Sequence, residues 1–550
     1  MKPKFRSLIA AFAPLSRSSL IVVASLCAAT SVHAASATWS ATAANATWND
    51  LNWSAAFPNA AADSATFNAV STFGDSLNPV TLTAGVGIQN MNFAATAGPY
   101  VVGVNGSFII FPRGSGAGGT PSFFNSINIA AAVTNSQIVA APISFSAPSS
   151  TTIGYTLRND STTPAATLTL SGLITTNTAS NRHTSVSLDG THTGTNTVSG
   201  VISATGNTQG NLVIQKTGLG TWILAGANIL TSNSMTNTGG LQGIQVNAGV
   251  LSVQHTQGLG TNATANNLQT WINAGATLEL ANNITLDNGV SLNLRNGGTV
   301  RSAGSITTNG RINLSTAALT NATLSTVGAA DVFTIGNAAN DLSGGASDTV
   351  INTSGPGTIL QNFASNYVGG WSINAGTLKL GSATALGLTS APVAFGASST
   401  GILQLNGNSV TIGSLASNTT VGTPVVENGT AGTATATVGG TAVTTYGGLL
   451  RDGAEGILAL TKSGSGTLNL TAANTYSGGT TVSGGLLKVN NLTGSSATGT
   501  TAVTIAAGGT LGGSGFISGA VTVNSTGTIA PGNSVGTLTV SSLHWMPARN

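Results

Sequence analysis

The sequence predicts an all-β fold in which many short strands stack as a solenoid. Three observations predict it. Apolar and polar residues alternate in short runs, as in Thr467-Leu468-Asn469-Leu470, and period two marks a half-buried strand. Glycine pairs such as Gly478-Gly479 and Gly484-Gly485 punctuate those runs, at turns that need positive φ. The same strand–turn unit then returns elsewhere in fixed register. No stretch sustains an apolar i, i+3, i+4, i+7 pattern, so few helices are expected beyond the leader.

The clearest unit runs from Lys462 to Asn490. Its strands are Thr467–Leu470, the β-branched Thr480-Thr481-Val482, and Leu486-Leu487-Lys488-Val489, with Leu487 and Val489 on one face. Placing Gly355 on Gly464 superposes a second copy without a gap. Tyr367 then falls on Tyr476, Gly369-Gly370 on Gly478-Gly479, Gly376 on Gly485 and Leu378 on Leu487. A third copy runs from Lys216 through Gly218, Gly220 and Asn228, with an insertion before Val246, Gly249, Leu251 and Val253. The closing phrase recurs alone as Asn273-Ala274-Gly275-Ala276-Thr277-Leu278. Repeats of about 20–50 residues point to a solenoid, because one unit cannot bury its apolar face and stacked units can. Leu378 and Leu487 are therefore expected in the core, at equivalent places in their rungs.

The phrases Gly-x-Gly-Thr-Leu-x-Leu, Asn-x-Tyr-Ser-Gly-Gly-Thr-Thr-Val and Gly-Gly-x-Leu-x-Val resemble the autotransporter-associated β-strand repeat. That repeat occurs in passenger regions of bacterial autotransporters and in related large secreted surface proteins. The resemblance is close over 462–490, good over 355–380 and looser over 216–253. It implies a long right-handed parallel β-helix. About 20 rungs at ~4.8 Å would make a rod near ~100 Å long.

Composition agrees with an ordered, uncharged β structure. Charged residues are 5% of the chain, against roughly 25% in an ordinary domain. Hydrophobic residues are 41%, whereas disorder goes with low hydrophobicity and high net charge. The net charge of +3 misleads, because Lys2, Lys4, Arg6 and Arg17 all lie in the first 34 residues. Taking those four from 16 leaves 12 basic against 13 acidic residues, a net of −1. With no basic cluster in that remainder, nucleic-acid binding is excluded as a function class.

Residues 1–34 read as a signal peptide. Basic residues precede an apolar run, Leu20 to Ala29, and Val32-His33-Ala34 places small residues where a signal peptidase reads. The run is too short to span a bilayer, and Leu26 before Cys27 argues against a lipoprotein. Cys27 is the only cysteine, so the mature chain has no disulfide.

Residues 35–125 are expected to form an N-terminal cap and first rungs, since a solenoid must cover its open end. Trp39, Trp48 and Trp53 mark the cap. A Trp-lined sugar-binding face is the alternative, but Asp50 is the only charged residue among them, and a ligand site brings several convergent polar groups. From 126 to 540 the rhythm reads as one continuous β-helix, through Ser126–Ile129, Thr167–Leu170, Asn211–Ile214, Ile284–Leu286, Ser291–Leu294 and Arg311–Leu314. Residues 541–550 are expected to be a short tail. Ten residues cannot span a bilayer as a helix, and neither a β-barrel pattern nor a sorting segment follows Val540. The mature chain is therefore expected in the periplasm or medium, or at the cell surface, with no transmembrane segment.

Motifs with possible chemistry each have a plainer reading. Gly114-Ser115-Gly116-Ala117-Gly118-Gly119 fits Gly-x-Gly-x-x-Gly, but Thr120-Pro121-Ser122 follows instead of the helix a dinucleotide needs. Gly532-Asn533-Ser534-Val535-Gly536 fits the nucleophile elbow, but no acid lies beyond Glu455. His183, Asp189 and His192 are the nearest approach to a metal cluster and read as solvated surface. Arg451-Asp452-Gly453-Ala454-Glu455 is the densest charged group and reads as a turn. No catalytic, cofactor-binding or metal residue is assigned. The expected function is a secreted or surface-displayed structural rod, adhesive through weak multivalent contacts with glycans, extracellular matrix or like molecules. The rival is a polysaccharide lyase or glycosidase, acting through clustered Asp, Glu, Lys or Arg on one face of the rungs; hydrolysis of a sugar bond needs two carboxylates about 5–9.5 Å apart.

Overall fold

Stacking rather than hairpin pairing organises this chain. A computed structural model describes residues 36–546, apart from 41–42, 44, 50–51, 61, 72, 104–106, 113–121, 148–152, 179–182, 205–210, 231–242, 262–267, 315–320 and 493. The expected signal peptide, Asp50 and Gly114–Gly119 lie outside the described residues. Strands of two to eight residues pair in parallel with strands one turn away, so the chain comes full circle between partners. No helix occurs among the described residues, and none is long and apolar enough to cross a membrane.

Three faces result. A twelve-stranded sheet from Ser36–Thr38 to Leu342–Gly344 forms the first, and a thirteen-stranded sheet from Val101–Val102 to Ser414–Ser417 the second. A five-stranded sheet ending at Ile202–Ser203 and an eight-stranded sheet from Thr285–Leu286 to Leu449–Asp452 form the third. Toward the C-terminus, a seven-stranded sheet from Val410–Ile412 to Thr539–Trp545 takes the first face's place in chain order. A five-stranded sheet beginning at Val443–Tyr446 lies against Ser414–Ser417 and continues the second face. This is a parallel β-helix.

Period-two alternation becomes continuous inward columns. On the third face Ile306, Phe333, Ile359, Leu378, Leu403, Val426 and Leu450 stack rung on rung, all buried. Leu468, Leu487 and Leu511 form another column. Leu378 and Leu487 are thus both in the core, but on different faces. The reason lies inside the repeat. Each copy carries three strands, and the segment at Asn228, Ser365 or Asn474 takes the place of a strand on the face between the first and second of them. In the copies at 216 and 462 that face is the third; in the copy at 355 it is the first.

The segment that replaces a strand also replaces its hydrogen bonds with side-chain ones, as buried backbone groups require. Asn474 Oδ1 accepts from Leu450 N at 2.7 Å, and its Nδ2 donates to Ala497 O at 2.7 Å. Asn228 does the same between Ile202 N, 2.8 Å, and Gly258 O, 2.7 Å. Ser365 stands at this place in the middle copy, donating to Leu342 O at 2.8 Å. Tyr367 Oη donates to Thr349 O and Gly370 O, both at 2.9 Å. The turn between the second and third strands of each copy needs glycine: Gly249, Gly376 and Gly485 have φ of 62°, 65° and 59°, and a Cβ on Gly376 would sit 2.4 Å from Gly357 O.

Lys216 and Lys462 open their copies and are buried to 0% and 1% exposure. Each ammonium caps carbonyls of two successive turns. Lys216 Nζ donates to Gly218 O and, at 3.1 Å, to Ala248 O; Lys462 Nζ donates to Gly464 O and, at 3.4 Å, to Gly484 O. The middle copy has Thr353 here, and its buried Oγ1 has no hydrogen-bond partner. Burial pushes Lys216 down to about 8, with Asp189 opposing. A depressed folded pKa contributes stability that is complete above the unfolded value, 10.5, and lost as pH falls through about 8. Urea stability should therefore rise from about pH 8 to about pH 10, and Lys216→Met should flatten that rise. An unchanged slope in the variant would show that this ammonium is solvated.

At the N-terminal end the three tryptophans fill the core. Trp39, Trp48 and Trp53 are at most 6% exposed, with ring centroids 5.2 Å apart for Trp39–Trp53 and 4.8 Å for Trp48–Trp53. Trp53 Nε1 donates to Trp48 O at 2.8 Å. Rings buried in this way offer no face to a sugar. At the other end the strand Thr539–Trp545 pairs onto Phe516–Val523, so strand structure continues into the segment expected to be a tail. Residues 547–550 lie outside the described residues.

Candidate functional site

The charged cluster at 451–455 is built across rungs. Gln404, Glu427 and Arg451 are register neighbours on the outward side of the third face. Glu427 Oε1 accepts from Gln404 Nε2 at 2.8 Å, and Oε2 accepts from Arg451 Nη2 at 2.7 Å and Nε at 2.8 Å. A second ladder repeats the plan on the second face. There Glu279 accepts from Ser252 Oγ at 2.9 Å and from Arg301 Nη2 at 2.6 Å. Arg158 in turn joins Asp160 at 2.5 Å and Asp189 at 3.1 Å. Arg158–Asp160 lies within one rung, the other pairs join strands one rung apart, and partial exposure limits each to about 1 kcal/mol.

Asp452 differs from its expected place: it closes the strand Leu449–Asp452, and only Glu455 lies in the turn. Its Oδ1 accepts from Leu458 N at 2.8 Å and Ser477 N at 3.1 Å, and its Oδ2 from Ser477 Oγ at 2.6 Å. The carboxylate is a staple between turns, which a sequence reading confined to 451–455 could not reveal, because Ser477 is in the next rung. Other acids fasten turns in the same way. Asp331 accepts from Val327 N and Gly328 N, and Asp341 from Asn337 N and Ala338 N. Among the described acids only Asp348 and Glu455, both exposed, have no such partner. Asp452→Ala should lower stability by about 1–3 kcal/mol, the range for stranding buried donors, and Glu455→Gln should leave it unchanged. Equal melting temperatures for all three proteins would remove the staple.

Asp189 and His192 are each engaged by other partners. Asp189 is committed to Arg158 and to Thr217 Oγ1, 3.2 Å. His192, expected on the surface, is 1% exposed, and its Nδ1 lies 3.0 Å from Ser161 O. It is buried because its turn stacks on the Ser161 turn of the rung before. The side chain of His183 lies outside the described residues. No group of three metal-ligating side chains occurs among those described. Gly532–Gly536 connects strand to strand, with Gly532 N donating to Gly513 O at 2.7 Å, not the strand-to-helix turn a nucleophile elbow requires.

A shallow furrow of about 500 Å³ crosses the turns before the third-face strands, lined by Thr400, Ile402, Thr423, Pro424, Leu449 and Arg451 among others. Its one charged lining residue, Arg451, already holds Glu427. Nothing there supplies two free carboxylates.

Fold and surface define a passenger-like repeat rod. The family Passenger-associated-transport-repeat matches residues 214–253, 354–380 and 460–489, the three copies read from the sequence. The "Adhesin BmaC autotransporter" of Brucella suis biovar 1 (strain 1330) is 36% identical over 135 residues, covering 24% of this chain and 4% of that protein. The chain thus matches only a small part of that relative's length. No solved structure matches.

Proposed function

We propose that this protein is an exported, surface-displayed rod that holds cells to a surface by many weak contacts and carries out no bond cleavage. One observation carries the reading: the described carboxylates, Asp348 and Glu455 apart, serve turns and rung-to-rung ladders. Acid–base cleavage of a glycan would need a pair of them free and facing each other. The passenger repeats and the likeness to an adhesin support display outside the cell. A repeating face of Thr, Asn and Ser suits multivalent contact, in which weak sites sum to useful avidity. The test is to display the full chain on a bacterial host and measure retention on glycan-coated surfaces, with reducing-end release assayed in parallel. Retention without release is expected; release of reducing ends or unsaturated products would favour the rival enzyme.

A further inference from the structure

The chain has seven tryptophans. Trp39, Trp48, Trp53, Trp222 and Trp371 are in the core, and Trp545 lies in the last strand. Trp271 alone stands outward on the side of the rod. It belongs to Leu268–Ile272 on the first face, where Leu268, Thr270 and Ile272 point inward and Gln269 and Trp271 do not. Its register neighbours are Gln245 on one side and Asn293 on the other.

Arg295, one rung on, is exposed, and its guanidinium carbon lies 4.4 Å from the Trp271 ring centroid. Its Nη1 donates to Asn273 Oδ1 at 3.1 Å, and Asn273 Nδ2 donates to Asn247 Oδ1 at 2.5 Å. Arg158, Arg301 and Arg451 each have a carboxylate partner. Arg295 is held by an indole and a neutral amide, so its charge is positioned but not neutralised. A guanidinium has five N–H donors in a fixed fork, and stacking on an aromatic ring orients that fork without using it up.

We infer that Trp271 and Arg295, with Gln245, Gln269 and Asn273 around them, bind an anionic saccharide on a glycan chain; this rests on the adhesive reading. The carboxylate or sulfate of the sugar pairs with Arg295 in a charge-assisted bond. The amide of Gln245 has both donors and an acceptor for its hydroxyls, while Gln269 Oε1 already accepts from Asn293 Nδ2 at 2.6 Å and only helps to shape the site. The indole supplies an apolar surface for its C–H groups. The open side of a rod admits a chain that runs on past the site, as a glycan does.

The test uses the full chain in calorimetric titration with four probes. These are an oligogalacturonate hexamer, a heparin-derived hexasaccharide, neutral cellohexaose and poly-glutamate. At least one anionic saccharide should bind about tenfold or more tighter than cellohexaose and poly-glutamate. The first two probes tell carboxylate from sulfate recognition. Arg295→Gln and Trp271→Ala should each weaken that binding about tenfold, with the melting temperature of Arg295→Gln unchanged. Binding that survives both substitutions overturns the site and leaves the adhesive reading standing. Equal binding of cellohexaose or of poly-glutamate overturns the ligand class. If displayed cells adhere but the chain binds none of the saccharides, this inference fails and adhesion has another basis.

Discussion

Leu487→Asp is expected to destabilise the chain by about 4 kcal/mol or more, the scale of an unpaired polar group forced into a core. Leu487 is fully buried, stacked between Leu468 and Leu511 in register. An aspartate there would face aliphatic neighbours on both rungs. It would have to stay ionised without a partner, or take up a proton and still leave its polar atoms unsatisfied. In a solenoid each rung contacts mainly its neighbours, so damage should begin between Thr467 and Gly513 and spread from there. Limited proteolysis should cut in that interval, and circular dichroism should show an early partial transition. Leu486→Asp is the control, because Leu486 is only half-buried in the same strand. If Leu487→Asp resists protease as well as wild type, the inward assignment of the column is wrong.

The columns were legible because their cause is local. Alternation in Thr467–Leu470 and the Gly-Gly turns around Thr480–Val482 specify strand parity and reversal within a few residues. Gapless superposition of 355–380 on 462–490 then supplied the stacking. What could not be read is set by the rung above or below. Lys216 and Lys462 look like surface residues until the carbonyls of Ala248 and Gly484 are brought over them. His192 is buried by the Ser161 turn, and Asp452 is committed by Ser477. The change of face between copies is equally non-local, since the replaced strand is defined only by the strands flanking it. Trp271 is a different case. Its parity against Leu268 and Ile272 already placed it outward, and the signal was there to be used.

Above about pH 10 the chain should lose stability steeply, because its buried phenols cannot ionise while folded. Tyr100, Tyr367, Tyr446 and Tyr476 are at most 2% exposed. Tyr100 Oη donates to Ala69 O at 2.5 Å and Tyr446 Oη to Pro424 O at 3.2 Å, while Tyr476 Oη lies 2.5 Å from Thr480 Oγ1. Burial pushes Tyr100 up to about 12 from 10.0 and raises the other three further. A raised folded pKa gives a contribution fully present below the unfolded value and lost as pH rises toward the folded one. Each phenol therefore removes roughly 1.4 kcal/mol by one unit above 10, so four remove several kcal/mol near pH 11. That loss outweighs the gain expected from Lys216 at lower pH. Urea melts between about pH 9 and pH 12 should show the midpoint falling above 10, with tyrosinate absorbance appearing together with unfolding. Tyr476→Phe should shallow the fall, since it removes one titrating group while keeping the ring in the core. Tyrosinate absorbance growing in near 10 while the far-ultraviolet signal stays intact would mean that these hydroxyls reach water in the folded rod.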